Sequence, residues 1–416
     1  MALRSTPRSA DCKPGAEWHD AMNTDSLAAS GAGSYAPRSV SRAVPRGPRG
    51  VPAERQRPLR YCFITTGSLQ FNASFMRLRE FGRCLAAEGV DVHYVVDAGA
   101  FNDMLPAQLS YGTFHRIDNL GRFGRLLTRR SVVAATSPNV VHLLNPQPSN
   151  SATIFGTRAF VVGDWDELLS TRSKSAAMNV ISWLCETYGR RRADVTVVAS
   201  RHMQQLFRDN YAIDSVYLPY ATYVEPHDDG TSPFERPSAV YLGNFHHDSD
   251  HDILLKAWAG PLSGKDAPDL HMIGGGTELR RVQDQVASLG LQNVFVHGFL
   301  PWADVWRHLR HASVLVFPIR DTQGNRMRCP AKTFAYMQAQ RPIITNRVGE
   351  VAEVLRDLAT YVEPSADAFA AAVTASVAER RPDILYPLAD HTWPARTHSL
   401  LEAVRRGMDR KSSVVE

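Results

Sequence analysis

From about residue 58 onward the chain alternates short apolar runs with longer amphipathic ones. The apolar run over 61–65 (YCFIT) enters a glycine-containing polar loop. Apolar residues then recur at three-to-four spacing, which predicts a helix, and VDVHYVVD predicts the next strand. This strand–helix–strand opening implies a parallel sheet with ligand loops at the C-terminal ends of its strands. Further strand-like runs cover 138–145, 159–163, 194–200 and 215–220, most of them separated by helical candidates such as ISWLCETYGRRRA. After a polar hinge, VEPHDDGTSPFERP, the pattern restarts: SAVYLGNF, DLHMIGGG, NVFVHGFL, SVLVFPI and RPIITN read as strands between helical runs. Two doubly wound α/β domains facing a cleft are therefore expected, over 58–223 and 236–392. A last helix over 393–410 is expected to pack back on the first domain.

Composition changes the picture at the N-terminal end. Residues 1–57 are rich in Ser, Ala, Gly and Pro with crowded arginines, so they read as a disordered basic tail. The tail holds most of the formal charge of +5, and the body that remains is close to neutral. Nucleic acid is thus not an expected partner. Two readings of the tail stay open, an inert extension and weak electrostatic contact with an anionic membrane. No apolar run is long enough to span a bilayer and no secretory signal precedes the fold. Cys12, Cys62, Cys84, Cys185 and Cys329 show no metal spacing, and three lie in apolar segments. Reduced, buried thiols in a cytoplasmic protein are expected, with peripheral membrane association as an open alternative.

Three stretches of the second domain carry a resemblance to a known family. They are VYLGNF, the run MIGGGTELRRVQDQVASLGLQNVFVHGFLPWADVWRHLRHASVLVFPI, and CPAKTFAYMQAQRPIITNRVGEVAEVL. Their order and spacing over 238–355 resemble the nucleotide-binding half of a GT-B glycosyltransferase of the broad family 4 (group 1) type. The first domain is similar more loosely, through TTGS, NPQPSN and RRADVTVVASRHM. The resemblance implies a transferase, hexosyl or uronosyl, that moves a sugar from a nucleotide-diphosphate donor to a hydroxyl of a glycan, lipid-linked or small-molecule acceptor. It implies no cofactor and no metal, because lysine and a helix N-terminus neutralise the diphosphate. A GT-B-like sugar-nucleotide epimerase and a non-catalytic sugar-binding module are the alternatives.

The chemistry of a departing diphosphate asks for cations and close backbone approach. Lys332, in the first turn of the helix opened by Pro330, matches the family's phosphate-binding basic residue, and Arg326 and Arg328 precede it. Gly243 and Asn244 follow the first strand of the domain, and Gly275 lies in the glycine run where the family's base sits. The family's ribose-binding glutamate is replaced by Ala335, and its partner eight residues earlier by Met327. Glu350 and Glu353 are the expected substitutes.

The first domain offers GDWDE at the end of a predicted strand. One reading is a strand end and helix cap. The other, for which the loop resembles the acidic base of inverting glucuronosyltransferases, makes Asp166, or Asp164, the general base. Trp165 would supply a face for a sugar ring, with Gly67 and Asn72 in the first acceptor loop. HHDSDH over 246–251 reads as a helix-capping loop before it reads as a metal site. Glu186 and Arg190, four apart, read as a surface ion pair.

Overall fold

The computed structural model describes residues 58–413, apart from 70–72, 119–120, 172–174, 223–229, 247–248 and 380–382. The expected tail, Asn72 and two positions of HHDSDH lie outside the described residues. The first sheet holds β1 (Arg60–Ile64), β2 (Asp91–Asp97), β3 (Thr113–Ile117), β4 (Val140–Leu144), β5 (Phe160–Trp165), β6 (Val195–Val198) and β7 (Val216–Tyr217). Its order is β3-β2-β1-β4-β5-β6-β7, parallel throughout. The chain reverses its direction of travel between β1 and β4, and there the crevice of a doubly wound sheet opens. β4 and β5 are buried at every position, as strands covered by helices on both faces must be.

The second sheet contains β8 (Ser238–Leu242), β9 (Asp269–Ile273), β10 (Val294–Gly298), β11 (Val314–Phe317), β12 (Ile343–Thr345) and β13 (Thr360–Tyr361). Its order, β10-β9-β8-β11-β12-β13, has the same switch point, between β8 and β11. The paired α/β domains agree with the sequence expectation. So does the last helix, Trp393–Ser413, which lies on the first domain. Trp393 meets Phe81 edge-on at 5.4 Å, and Lys411 pairs with Asp194 at 2.9 Å. Gly407 is needed there: a Cβ would sit 2.5 Å from the Phe160 ring.

The domains also touch directly. Met327 packs with Trp165, Val198, Met203 and Phe207 in one apolar cluster. Ser200 Oγ donates to the Met327 carbonyl at 2.6 Å, and Thr222 bridges in parallel to Thr392 at the crossover. This seam closes one side of the cleft, at the ends of β5 and β6.

Candidate functional site

The helix Lys332–Ala339 begins at the lysine itself, beneath the C-terminal ends of β8 and β11. Lys332 Nζ stands 4.4 Å from the ring centroid of Tyr241 and 4.4 Å from that of Phe317, between two aromatic faces. Gly243 leaves the space for it, because a Cβ at that position would lie 2.2 Å from the ammonium. Among the described residues no hydrogen bond or ion pair satisfies this ammonium. Burial, and then the nearby Arg328 guanidinium, push it down to about 7. Arg328 Nε is buried and has no partner either. Two unpaired, mutually repelling cations thus face one spot, an arrangement that a dianion would stabilise.

The glycine run 274–276 supports the same spot. A Cβ on Gly274 would lie 1.9 Å from the Gly243 carbonyl oxygen, and one on Gly276 would lie 2.4 Å from that of Phe245. Gly275 packs on the Phe299 ring, where a Cβ would come within 2.1 Å. The two turns are locked by backbone bonds from Gly243 N to Ile273 O (2.9 Å) and Phe245 N to Gly275 O (2.8 Å). Asn244 is exposed at the tip of its turn. Arg326, by contrast, is committed to Asp321 on the surface, with Nη2–Oδ2 at 2.6 Å.

Glu350 is not where a ribose ligand is needed. It is buried, accepts from the Arg201 backbone N–H at 2.8 Å and from the Tyr217 hydroxyl, and so joins the two domains. Burial pushes its carboxyl up to about 7. Glu353 is exposed on the same helix, Gly349–Leu355. Among the described residues of HHDSDH no side chain caps the helix: His251, at the cap position, makes no capping bond, and Asp250 instead pairs with Arg320 at 2.6 Å. His251 is buried with both ring nitrogens unpartnered.

The GDWDE strand end departs furthest from expectation. Asp164 is wholly buried, accepts from Arg77 Nε at 2.7 Å and Nη2 at 3.0 Å, and lies 3.1 Å from His142 Nε2. Burial works against its charge, but Arg77 and His142 outweigh this and hold it below the usual carboxylate range. An acceptor hydroxyl cannot reach it, so Asp164 is not the base. Trp165 is equally buried, packed edge-on against Phe207 at 5.1 Å, and offers no face to a sugar. Asp166 accepts from the Asn145 amide and from Tyr220 OH at 2.8 Å, so both of its oxygens are occupied. Glu186 and Arg190 form no surface pair. Glu186 is buried and accepts from Ser170 Oγ at 2.7 Å, while Arg190 covers the Tyr211 ring at 4.0 Å. Gly67 stays at the crevice, its N–H donating to Asp97 at 2.7 Å. Arg77, His142, Asn145 and Tyr220 escaped the sequence reading. The visible signal was a charged or polar residue inside an apolar run.

Residues 236–379 match the family model of group 1 glycosyl transferases. The second domain is thus similar to group 1 glycosyl transferases. Solved structures extend the likeness to the whole GT-B fold. Anabaena HepE, solved with UDP-glucose, is 13% identical with a TM-score of 0.63, over 85% of this chain and 100% of that one. The lipopolysaccharide outer core galactosyltransferase WaaB is 13% identical at a TM-score of 0.60, over 84% and 99%. A putative UDP-N-acetylglucosamine 2-epimerase from Listeria monocytogenes is 9% identical at 0.59, over 85% and 98%. At these identities the structures speak for the fold alone. No curated protein matches the chain.

Proposed function

We propose that the protein transfers a sugar from a nucleotide-diphosphate donor to a hydroxyl acceptor. The observation that carries this is the pair of unpartnered cations, Lys332 and Arg328, over the Gly243 turn. A diphosphate seated there would restore the ammonium and neutralise the leaving group. HepE was solved with UDP-glucose and a Staphylococcus aureus MnaA with UDP, which favours a uridine donor. The experiment is calorimetry with UDP-, GDP- and dTDP-sugars, followed by an assay of UDP release with and without acceptor. Release that needs an acceptor supports transfer. Interconversion of the donor sugar without one would make the protein an epimerase, and no binding of any donor would leave a non-catalytic module.

We further propose that transfer retains configuration. Three carboxylates at the ends of β2 and β5 are engaged: Asp97 by Gly67 and Arg129, Asp164 by Arg77, Asp166 by Asn145 and Tyr220. These partners hold each of the three in place, and on this reading the donor's own phosphate takes the acceptor proton. Product configuration by NMR tests this, and inversion would return Asp166 to the base role.

The acceptor we propose is amphiphilic. The helix Ala176–Arg192 turns Ser182, Glu186, Gly189 and Arg190 inward and leaves Val180, Trp183 and Leu184 at 57%, 50% and 54% exposure. Exposed Phe155 and Arg130, whose guanidinium lies 5.6 Å from that ring, flank it with aromatic surface and charge. An apolar face with aromatic and cationic neighbours fits the interface of an anionic bilayer. Flotation with phosphatidylglycerol vesicles checks it. Trp183→Ser with Leu184→Ser should abolish binding while leaving donor affinity intact, and unchanged flotation would remove this face from the proposal.

A further inference from the structure

We propose that His271, His297 and His308 bind one divalent transition-metal ion of the zinc class. They come from β9, β10 and the helix Trp302–His311, and each offers one ring nitrogen within 4.8 Å of the others. His271 Nδ1 and His297 Nε2 are 2.9 Å apart, their rings stacked 5.2 Å apart at 10°. His308 stands across both, 5.0 Å from His297 and 5.8 Å from His271 between centroids.

Three features argue for a metal rather than a hydrogen-bonded stack alone. First, His308 Nδ1 lies 2.7 Å from the Asp304 carbonyl oxygen. A carbonyl only accepts, so this bond fixes the proton on Nδ1 and aims the Nε2 lone pair outward, as the outer hydrogen bond of a metal-bound histidine does. Second, the spacing needs little change. Tetrahedral zinc at about 2.0–2.1 Å from each nitrogen sets them about 3.3 Å apart, so ring rotations of about an ångström complete the site. Third, the surroundings suit a closed site with one open position. Phe234 lies 4.6 Å from His271 and 5.3 Å from His308, and Phe295 stacks on His271 at 4.8 Å. His297 is exposed and leaves a path for the ion and a water ligand. Three nitrogens without a carboxylate select zinc, copper or nickel over magnesium or calcium.

The ion would tie the edge strand β10 to β9 and to the helix outside it. It does not depend on the donor site, since Lys332 and Arg328 take no part. The sequence positions 271, 297 and 308 follow no metal-binding spacing, so only folding brings them together.

The test is calorimetry of full-length, untagged, chelator-stripped protein with zinc chloride, paired with the visible spectrum of the cobalt-loaded form. One equivalent should bind, with tetrahedral cobalt bands. His297→Gln and His308→Gln should each weaken binding by more than about 100-fold, exceeding the loss expected from an outer-sphere change. His297 is exposed, so its variant keeps the test decisive if His308→Gln fails to fold. The chain has 15 histidines. Equal zinc affinity in wild type and His297→Gln would therefore put the ion elsewhere, and absence of stoichiometric binding would leave a hydrogen-bonded stack; either result overturns the proposal.

Discussion

If the Lys332 ammonium is poised for a diphosphate, donor binding should take up a proton. Without ligand its pKa lies at about 7, so at pH 8 about nine-tenths of the molecules carry a neutral amine. A dianion within hydrogen-bond reach favours the charged form and moves the group back toward its usual value. Binding at pH 8 should thus take up about 0.9 proton, and at pH 5.5 almost none. Affinity should fall by up to about tenfold per pH unit above 7 as this proton becomes harder to obtain. The assay is calorimetry of UDP or the UDP-sugar in PIPES, HEPES and Tris, whose ionisation enthalpies differ. The slope of observed against ionisation enthalpy is the proton count. In Lys332→Ala the slope should vanish at pH 8 and affinity should drop by about 2 kcal/mol, a lost charge-assisted contact, with Arg328 keeping the remainder. A flat slope in the wild type, or an undiminished one in Lys332→Ala, would refute the reasoning.

Three further outcomes follow from single contacts. Gly243→Ala, whose new methyl would lie 2.2 Å from Lys332 Nζ, should weaken donor binding by displacing the ammonium while the fold persists, as calorimetry and circular dichroism would show. Asp164→Asn should cost about 3–5 kcal/mol in urea unfolding, because it leaves the Arg77 charge buried and unpaired; a loss of turnover without a loss of stability would reinstate catalysis there. The Glu350 carboxyl titrates at about 7 in the folded chain against an ordinary 4.5, so the folded state holds its proton longer. Its contribution is therefore full below pH 4.5 and is lost as pH rises through 7, by about 3 kcal/mol, and Glu350→Gln should flatten that slope between pH 5 and 8 in urea titrations.

The fold was legible because its signal is periodic. Buried strands such as VVHLL and SAVYL, separated by amphipathic runs, imply parallel sheets without reference to any single residue. The cation side of the site was legible for a local reason: a lysine at a helix start and a glycine turn after a strand are features of adjacent residues. The first-domain side was not, since Asp164 owes its role to Arg77, which is 87 residues away. The same limit hid the bond from Glu350 to Arg201 N, 149 positions apart, and the histidine cluster. Polar residues inside apolar runs, Arg77 in FMRLREF and His142 in VVHLL, did mark the buried network, although not its partners.

Residue type was a poor guide to chemistry here, and the state of pairing is a better one. Asp164 and Lys332 are both charged by nature, yet the first is surrounded by donors and the second by aromatic rings and another cation. A carboxylate held by a buried guanidinium and an imidazole is already stable, and a ligand would have to displace those partners to use it. An ammonium with no direct partner, and only the more distant Asp250 to offset Arg328, gains from an anion at that point, so the folded chain is stabilised by one. The two domains differ in this respect: Lys332 and Arg328 of the second lack a direct partner, while Asp97, Asp164 and Asp166 of the first are held by donors. On the proposed retaining course the proton acceptor for the attacking hydroxyl would come with the substrate, and the donor phosphate is the anion that the two cations would bring to the cleft.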